Sequence, residues 1–288
     1  MHPSPPTPCR QAVPWPSRPA AWLGRHFRQA VLVLTVLGGL SALPAQAAPV
    51  LGTAAAFAVL GASTVTNTGA TTLVGDLGVH PGTDITGQGT ITLTGTVHDH
   101  DAVAQMAQAD ALSAFNTLAG LVPSSVLTGQ NLGGLTLRAG TYFFASSAQL
   151  TGTLVLDALN DPNSMFVFQI GSALTTASNA VVQVINGSAA NVYWQVGSSA
   201  TLGTATLFAG SLIADQSVTL NTTAAINCGR AIALHAAVTL DTNTISTTCP
   251  LAGGPTVPEP PSWALVGLAL ALLPLRRRLQ PAARASAA

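Results

Sequence analysis

Between residues 166 and 248 apolar and hydroxyl side chains alternate in short runs, and the runs recur. Thr201-Leu202-Gly203-Thr204 is followed by Thr219-Leu220-Asn221-Thr222 and Thr239-Leu240-Asp241-Thr242, at steps of 18 and 20 residues. Phe168-Gln169-Ile170-Gly171-Ser172 is likewise echoed by Trp194-Gln195-Val196-Gly197-Ser198. Short strands broken by Gly, Asn or Asp at this period predict a β-solenoid with one coil per repeat. Strand alternation sends Leu202, Leu220 and Leu240 inward and the first threonine of each unit outward. Gly203, Asn221 and Asp241 share a position suited to a corner, where left-handed backbone is tolerated.

The N-terminal part carries a looser version of the unit. Phe57 to Ala62 and Ser63 to Thr68 read as two strands meeting at a corner, and Thr90 to Thr96 alternates hydroxyl with apolar side chains. From about residue 99 to 121 the pattern changes. This stretch is rich in alanine and has no β-branched run, and Val103, Ala107, Ala111, Ala114, Phe115 and Leu118 recur at helical spacing. Asp99 or Asp101 suits the start of that helix and Gly120 its end.

The two ends of the chain read as addresses. Ala30 to Leu43 is an apolar run of signal-peptide length, and Ala45-Gln46-Ala47 offers a cleavage site, so residues 1–47 are expected to direct export through a signal peptidase. Residues 251–262 form a linker that includes Pro258-Glu259-Pro260. An apolar stretch from Trp263 to Leu275 and the cluster Arg276-Arg277-Arg278 complete a tail at 263–288. Both apolar runs are shorter than the roughly 20 residues a spanning helix needs. A short apolar segment closed by positive charge predicts transient membrane insertion with the arginines on the cytoplasmic side. The order Pro-Glu-Pro, apolar segment, arginine cluster closely resembles the PEP-CTERM sorting signal. That resemblance implies an exosortase-type processing enzyme and an extracellular or outer-surface location in a Gram-negative bacterium.

Composition narrows the function of the body, residues 48–250. The whole chain is formally neutral with 7% charged residues, but most of its arginines lie near the ends. The body holds Arg138 and Arg230 against nine aspartates, a formal charge of −7, with no Lys and no Glu. Without lysine there is no Walker A loop and no Schiff-base chemistry. An acidic, arginine-poor surface excludes nucleic acid as a partner. There is no Gly-x-Ser-x-Gly elbow, and Arg138, Arg230 and the scattered aspartates do not form a lyase-like group. His98-Asp99-His100-Asp101 has metal-binding residue types, but helix capping explains it better. The expectation is a non-enzyme without cofactor or metal.

Cys228 and Cys249 are the cysteines of the body, 21 residues apart, close to one coil length. In an oxidising compartment they read as one disulfide between stacked coils, with free thiols as the alternative.

Several stretches together point to one family: Ala58-Val59-Leu60-Gly61, Ser63 to Gly69 (STVTNTG), Gly75-Asp76-Leu77-Gly78-Val79, Leu135 to Tyr142 (LTLRAGTY), Trp194 to Ser198 (WQVGS) and Gly229-Arg230-Ala231 leading to Val238-Thr239-Leu240-Asp241. From about Leu51 to Cys249 the chain resembles the ice-binding-like family of microbial antifreeze proteins. The resemblance implies a mainly β fold, a right-handed discontinuous β-helix of triangular section with one long α-helix packed alongside. It also implies ice and ordered water as the partner, met by one flat side of the solenoid. The candidate face residues are Thr64, Thr66, Thr201, Thr204, Thr219, Asn221, Thr222, Thr239 and Thr242. Regularly spaced hydroxyl and methyl groups could order water, and β-branched threonine is stiff at χ1, so little rotamer freedom is lost on contact. The rival reading is an extracellular matrix or adhesion protein contacting exopolysaccharide, which would call for exposed aromatics. Tyr193 and Trp194 sit in apolar strand contexts and are expected in the core.

Overall fold

The computed structural model describes residues 50–249. The signal-peptide, linker and sorting-signal expectations, with Pro258, Glu259, Pro260, Arg276, Arg277 and Arg278, lie outside the described residues.

The described chain is mainly β, with one α-helix, Ala102–Ala119 (α1), among the described residues. All strand pairs are parallel and stack coil upon coil. One sheet has seven short strands, in the order Ala148–Leu150, Leu174–Thr176, Ala200–Leu202, Val218–Leu220, Val238–Asp241, Thr64–Thr68 and Asp84–Thr86. The other, of 15 strands, runs as two ladders joined where the long strands Leu207–Ala214 and Ala225–Ala233 bend from one to the next. Gly210 makes the first bend at a φ of 97°. A β-carbon there would meet Val192 Cβ and its carbonyl at 2.6 Å, so only glycine fits.

Coil order does not follow chain order. Phe57–Gly61 pairs with Ala225–Ala233 on one side and with Asp76–Val79 on the other, so the N-terminal coils stack on the last C-terminal coil. Beyond them lies Val97–Asp99. Helix α1 then carries the chain back to the far end, where Ser125–Val126 pairs with Gly140–Phe144 and the remaining coils wind back towards the start. Eight coil steps separate Val97–Asp99 from Ser125–Val126, roughly 38 Å at strand spacing. The 18 helical residues cover about 27 Å of that distance.

Leu202, Leu220 and Leu240 are buried one above another, as alternation requires. The steps of 18 and 20 residues reappear as the registers Thr201↔Thr219 and Thr219↔Thr239. Facing them, Tyr142, Phe168 and Trp194 occupy equivalent positions in adjacent coils, with ring centroids 5.4 and 3.9 Å apart. The Trp194 indole N–H donates to Ala209 O at 3.0 Å, which satisfies the one polar atom of that buried side chain.

Helix α1 packs through Ala104, Ala107, Ala111, Ala114 and Leu118, whose small side chains let it lie close on Leu60, Val167, Tyr193, Ile213 and Ile232. The buried stripe begins at Ala104. Val103, expected in it, is 46% exposed. The helix is also shorter than 99–121, because Asp99 ends a strand and His100 turns the backbone at a φ of 50°. Asp101 is the N-cap: its carboxylate accepts from Ala104 N at 2.8 Å and lies 2.7 Å from His98 Nδ1. At the other end the Gln169 amide donates to Leu118 O at 2.7 Å and Leu121 O at 2.8 Å, tying the last turn to the sheet.

The turn Gly52–Ala56 is pinned beside the helix. Thr53 gives its N–H and hydroxyl to Asp110 at 2.7 and 2.6 Å. Arg230, buried between coils, donates to Ser211 Oγ at 2.5 Å and Ala55 O at 3.0 Å, and burial pulls its pKa down to about 10. Cys228 and Cys249 are bonded as a disulfide, with Cα atoms 4.4 Å apart.

Closing a 21-residue loop, that disulfide stabilises the fold by about 3 kcal/mol in the chain-entropy account. Calorimetry of Cys228→Ser against wild type is expected to show that loss. The hydrogen bonds from Thr53 hold the Asp110 carboxyl below its ordinary value, and those from Ala104 N and the His98 ring do so for Asp101. Depressed carboxylates stabilise the fold above the ordinary carboxylate range, and this contribution disappears as pH falls through their folded values. Thermal melts from pH 6 to 2 are expected to fall, and Asp110→Asn, already low in Tm at pH 6, to fall less steeply.

Candidate functional site

The seven-stranded sheet presents one continuous file of outward side chains. Its registers place Gln149 beside Thr175, Thr175 beside Thr201, and Thr201 beside Thr219. The file continues through Thr239 and Thr66 to Thr86. Six threonines thus stand in consecutive coils, about 4.8 Å apart, all exposed or half-buried. Five of the six are framed by inward neighbours, such as Val218 and Leu220 or Val65 and Asn67, and Thr86 ends its strand after Ile85. Most of these strands are three residues long, and the C-terminal coils offer one outward side chain between two buried ones, whereas Thr64–Thr68 and Asp84–Thr86 carry further outward positions.

The edge of the file is tied coil to coil. Ser217 and Ser199 hydroxyls are hydrogen-bonded at 2.9 Å. Asp241 accepts from the hydroxyl of Thr222 and, at 3.0 Å, from that of Thr242. These bonds consume polar groups internally and hold the margin of the sheet in one arrangement.

Of the nine residues expected from sequence, four lie in the file: Thr66, Thr201, Thr219 and Thr239. Thr64 is on the same strand two positions earlier, opposite Asp84. Thr204, Asn221, Thr222 and Thr242 fall outside it, in the turns after the strands. The reason is strand length: after one outward residue the chain already bends toward the next ladder. The corner chemistry also differs from expectation. Left-handed backbone occurs at Asn179, Ala205, Thr223 and Thr242, with φ between 55° and 61°, and not at Gly203, Asn221 or Asp241. Gly203 serves close approach, because a β-carbon there would meet Thr176 O at 2.6 Å.

Thr175, Thr86 and Gln149 are ladder members that the Thr-Leu-x-Thr motif does not capture. In Leu174-Thr175-Thr176 a threonine replaces the second inward leucine, and its buried hydroxyl pairs with Thr206 Oγ1 at 2.7 Å and accepts from Gly203 N at 2.8 Å. The in-out-in alternation, free of residue identity, was the signal available for it.

Among the described residues the aromatics form no outward platform. Trp194 is fully buried in the core and Tyr193 is buried under α1. His98 bridges Asp101 and, at 3.9 Å, Asp76, while the His80 and His100 rings stack with centroids 5.1 Å apart. These groups brace the start of the helix. Among the described residues, no three His, Cys, Asp or Glu side chains converge as a metal site.

Residues 59–246, most of the described chain, match the model of the family described as ice-binding-like. The chain belongs to the ice-binding-like family. An ice-binding protein of Nostoc sp. (strain HG1) is 52% identical over 236 residues, covering 80% of this chain and 87% of the relative. Two crystal structures are similar to this ice-binding-like domain, each with a TM-score of 0.67. One is of an ice-binding protein from an Antarctic biological consortium, 45% identical, covering 70% of this chain and 91% of that one. The other is of an ice-binding protein from the ascomycete Antarctomyces psychrotrophicus, 40% identical, covering 69% and 97%. The fold of this ice-binding-like domain is accordingly a β-helix with a helix alongside.

Proposed function

We propose that this protein adsorbs to ice through the threonine file of its seven-stranded sheet. The observation that carries the reading is the register: Thr175, Thr201, Thr219, Thr239, Thr66 and Thr86 are aligned in consecutive parallel strands. Parallel pairing repeats one hydroxyl and one methyl group at strand spacing, and β-branching holds each in few rotamers. Water bound to such a row is ordered before it meets a crystal, and no charge in the file competes for it. The similar ice-binding proteins support ice as the partner.

We read the finer architecture as a right-handed coil of triangular section, which suits three runs of strands per turn. The address signals at the two ends support export, followed by exosortase-type processing at the surface of a Gram-negative cell. The adhesion reading loses its support, since Tyr193 and Trp194 are buried.

The test is a single ice crystal grown in dilute protein, comparing wild type with Thr219→Tyr and Thr204→Tyr. A bulky ring at the centre of the file is expected to abolish faceting and most of the freezing–melting gap. The same ring at Thr204, in a turn outside the file, is expected to leave both largely intact. Round crystals and no gap with wild-type protein would overturn the reading.

A further inference from the structure

The threonine file is built from two pieces of chain. Thr175, Thr201, Thr219 and Thr239 belong to the C-terminal coils, whereas Thr66 and Thr86 belong to the N-terminal ones. The pieces meet at one strand pair, Val238–Asp241 on Thr64–Thr68, with Thr66 opposite Thr239 and Asn67 opposite Leu240. At that seam the core changes character. The inward file that reads Leu202, Leu220, Leu240 elsewhere carries Asn67 here, 6% exposed, beside Thr71 and Asn243, each 1% exposed.

These three side chains form one chain of hydrogen bonds across the seam. The Asn243 amide donates to Asn221 O and Ala224 O at 2.9 Å, one coil back. Its side-chain oxygen accepts from Asp241 N at 2.6 Å, and its backbone N–H donates to Thr71 Oγ1 at 3.0 Å, 172 residues away in sequence. The Thr71 hydroxyl donates to Asn67 Oδ1 at 2.6 Å, and the Asn67 amide donates to Gly69 O at 3.0 Å and Thr90 Oγ1 at 2.9 Å, one coil further on. Four successive coils are thereby linked through buried polar groups. Such groups are satisfied in one arrangement only, and leaving them unpaired is costly. A slip of one residue would turn every side chain of the strand to the opposite face. Leucine in these places would bury more apolar surface but would accept several registers.

We propose that Asn67, Thr71 and Asn243 are positioning residues that set the register of the seam and so fuse two chain segments into one ice-contacting file. The inference rests on the functional reading above. In register, the six threonines span about 24 Å; with the seam loosened, the four from Thr175 to Thr239 span about 14 Å.

The experiment compares wild type, Thr71→Val and Thr71→Ser by thermal hysteresis over a concentration series and by backbone amide exchange. Valine keeps the shape and removes the hydroxyl, while serine keeps the hydroxyl. Thr71→Val is expected to keep its far-UV circular dichroism near 0 °C and to exchange faster in Thr64–Thr68 and Asp84–Thr86. Its hysteresis is expected to fall several-fold without vanishing, and Thr71→Ser to retain most of both properties. Leu154→Ala, a core change under the other sheet, is the control: it is expected to lower Tm without the loss of hysteresis. If Thr71→Val does not fold, Thr90→Val removes only the outermost partner and is expected to give the same pattern in weaker form. Wild-type hysteresis in a folded Thr71→Val protein, or an equal loss in Leu154→Ala, would overturn the positioning role while leaving the file as the ice site. Absence of hysteresis in wild type would overturn the functional reading and this inference with it.

Discussion

Parallel strand pairing is the constraint on which the rest of this molecule depends. It fixes the rise between coils, and with it the spacing of every outward side chain, without any contribution from the side chains themselves. A row of threonines becomes a lattice only because their Cα atoms are held by backbone hydrogen bonds on both sides. The stacked leucines and aromatics inside serve the same end. Tyr142, Phe168 and Trp194 lie one above another because their strands do, and the buried area they contribute keeps the pairing from slipping.

Helix α1 solves a problem that the coil order creates. The chain forms its N-terminal coils at one end of the solenoid and must restart at the other, and a helix covers most of that distance with its backbone groups satisfied internally. Its alanine face sets it close on the sheet, Gln169 reaches its last turn from a neighbouring strand, and its own N-cap Asp101 satisfies the first. A costly feature of the fold is Arg230, a buried cation whose partners are a hydroxyl and a carbonyl and whose Nε has none. It joins the turn Gly52–Ala56 to the coils at the place where the two parts of the chain meet.

Much of this was legible from residue order. The repeat steps gave the coil length, the alternation gave Leu202, Leu220 and Leu240 as core, and the alanine-rich break located the helix. Three file members could be named because they share the Thr-Leu-x-Thr unit, and Thr66 because it lies in the strand read from Ser63 to Thr68. Thr175 and Thr86 were hidden because a file position needs an inward neighbour but not leucine, and Thr176 beside the one and Ile85 beside the other fill that place. The turn residues Thr204 and Thr222 were drawn in by the same unit, since sequence spacing does not show where a three-residue strand stops. The seam was invisible for a different reason: Thr66 and Thr239 are 173 positions apart, and nothing local in either segment names the other as its neighbour.

The pairing of Phe57–Gly61 with Ala225–Ala233 also bears on how the molecule is made. The first coils to leave the ribosome can pair with one another but not with the rest of the solenoid until the last one exists, so the solenoid cannot grow in the order of synthesis. Its most distant contacts must form late and together, which places it among slow folders of high contact order. A fold that waits for its final strand stays threadable for as long as it is being made, which suits the export proposed above.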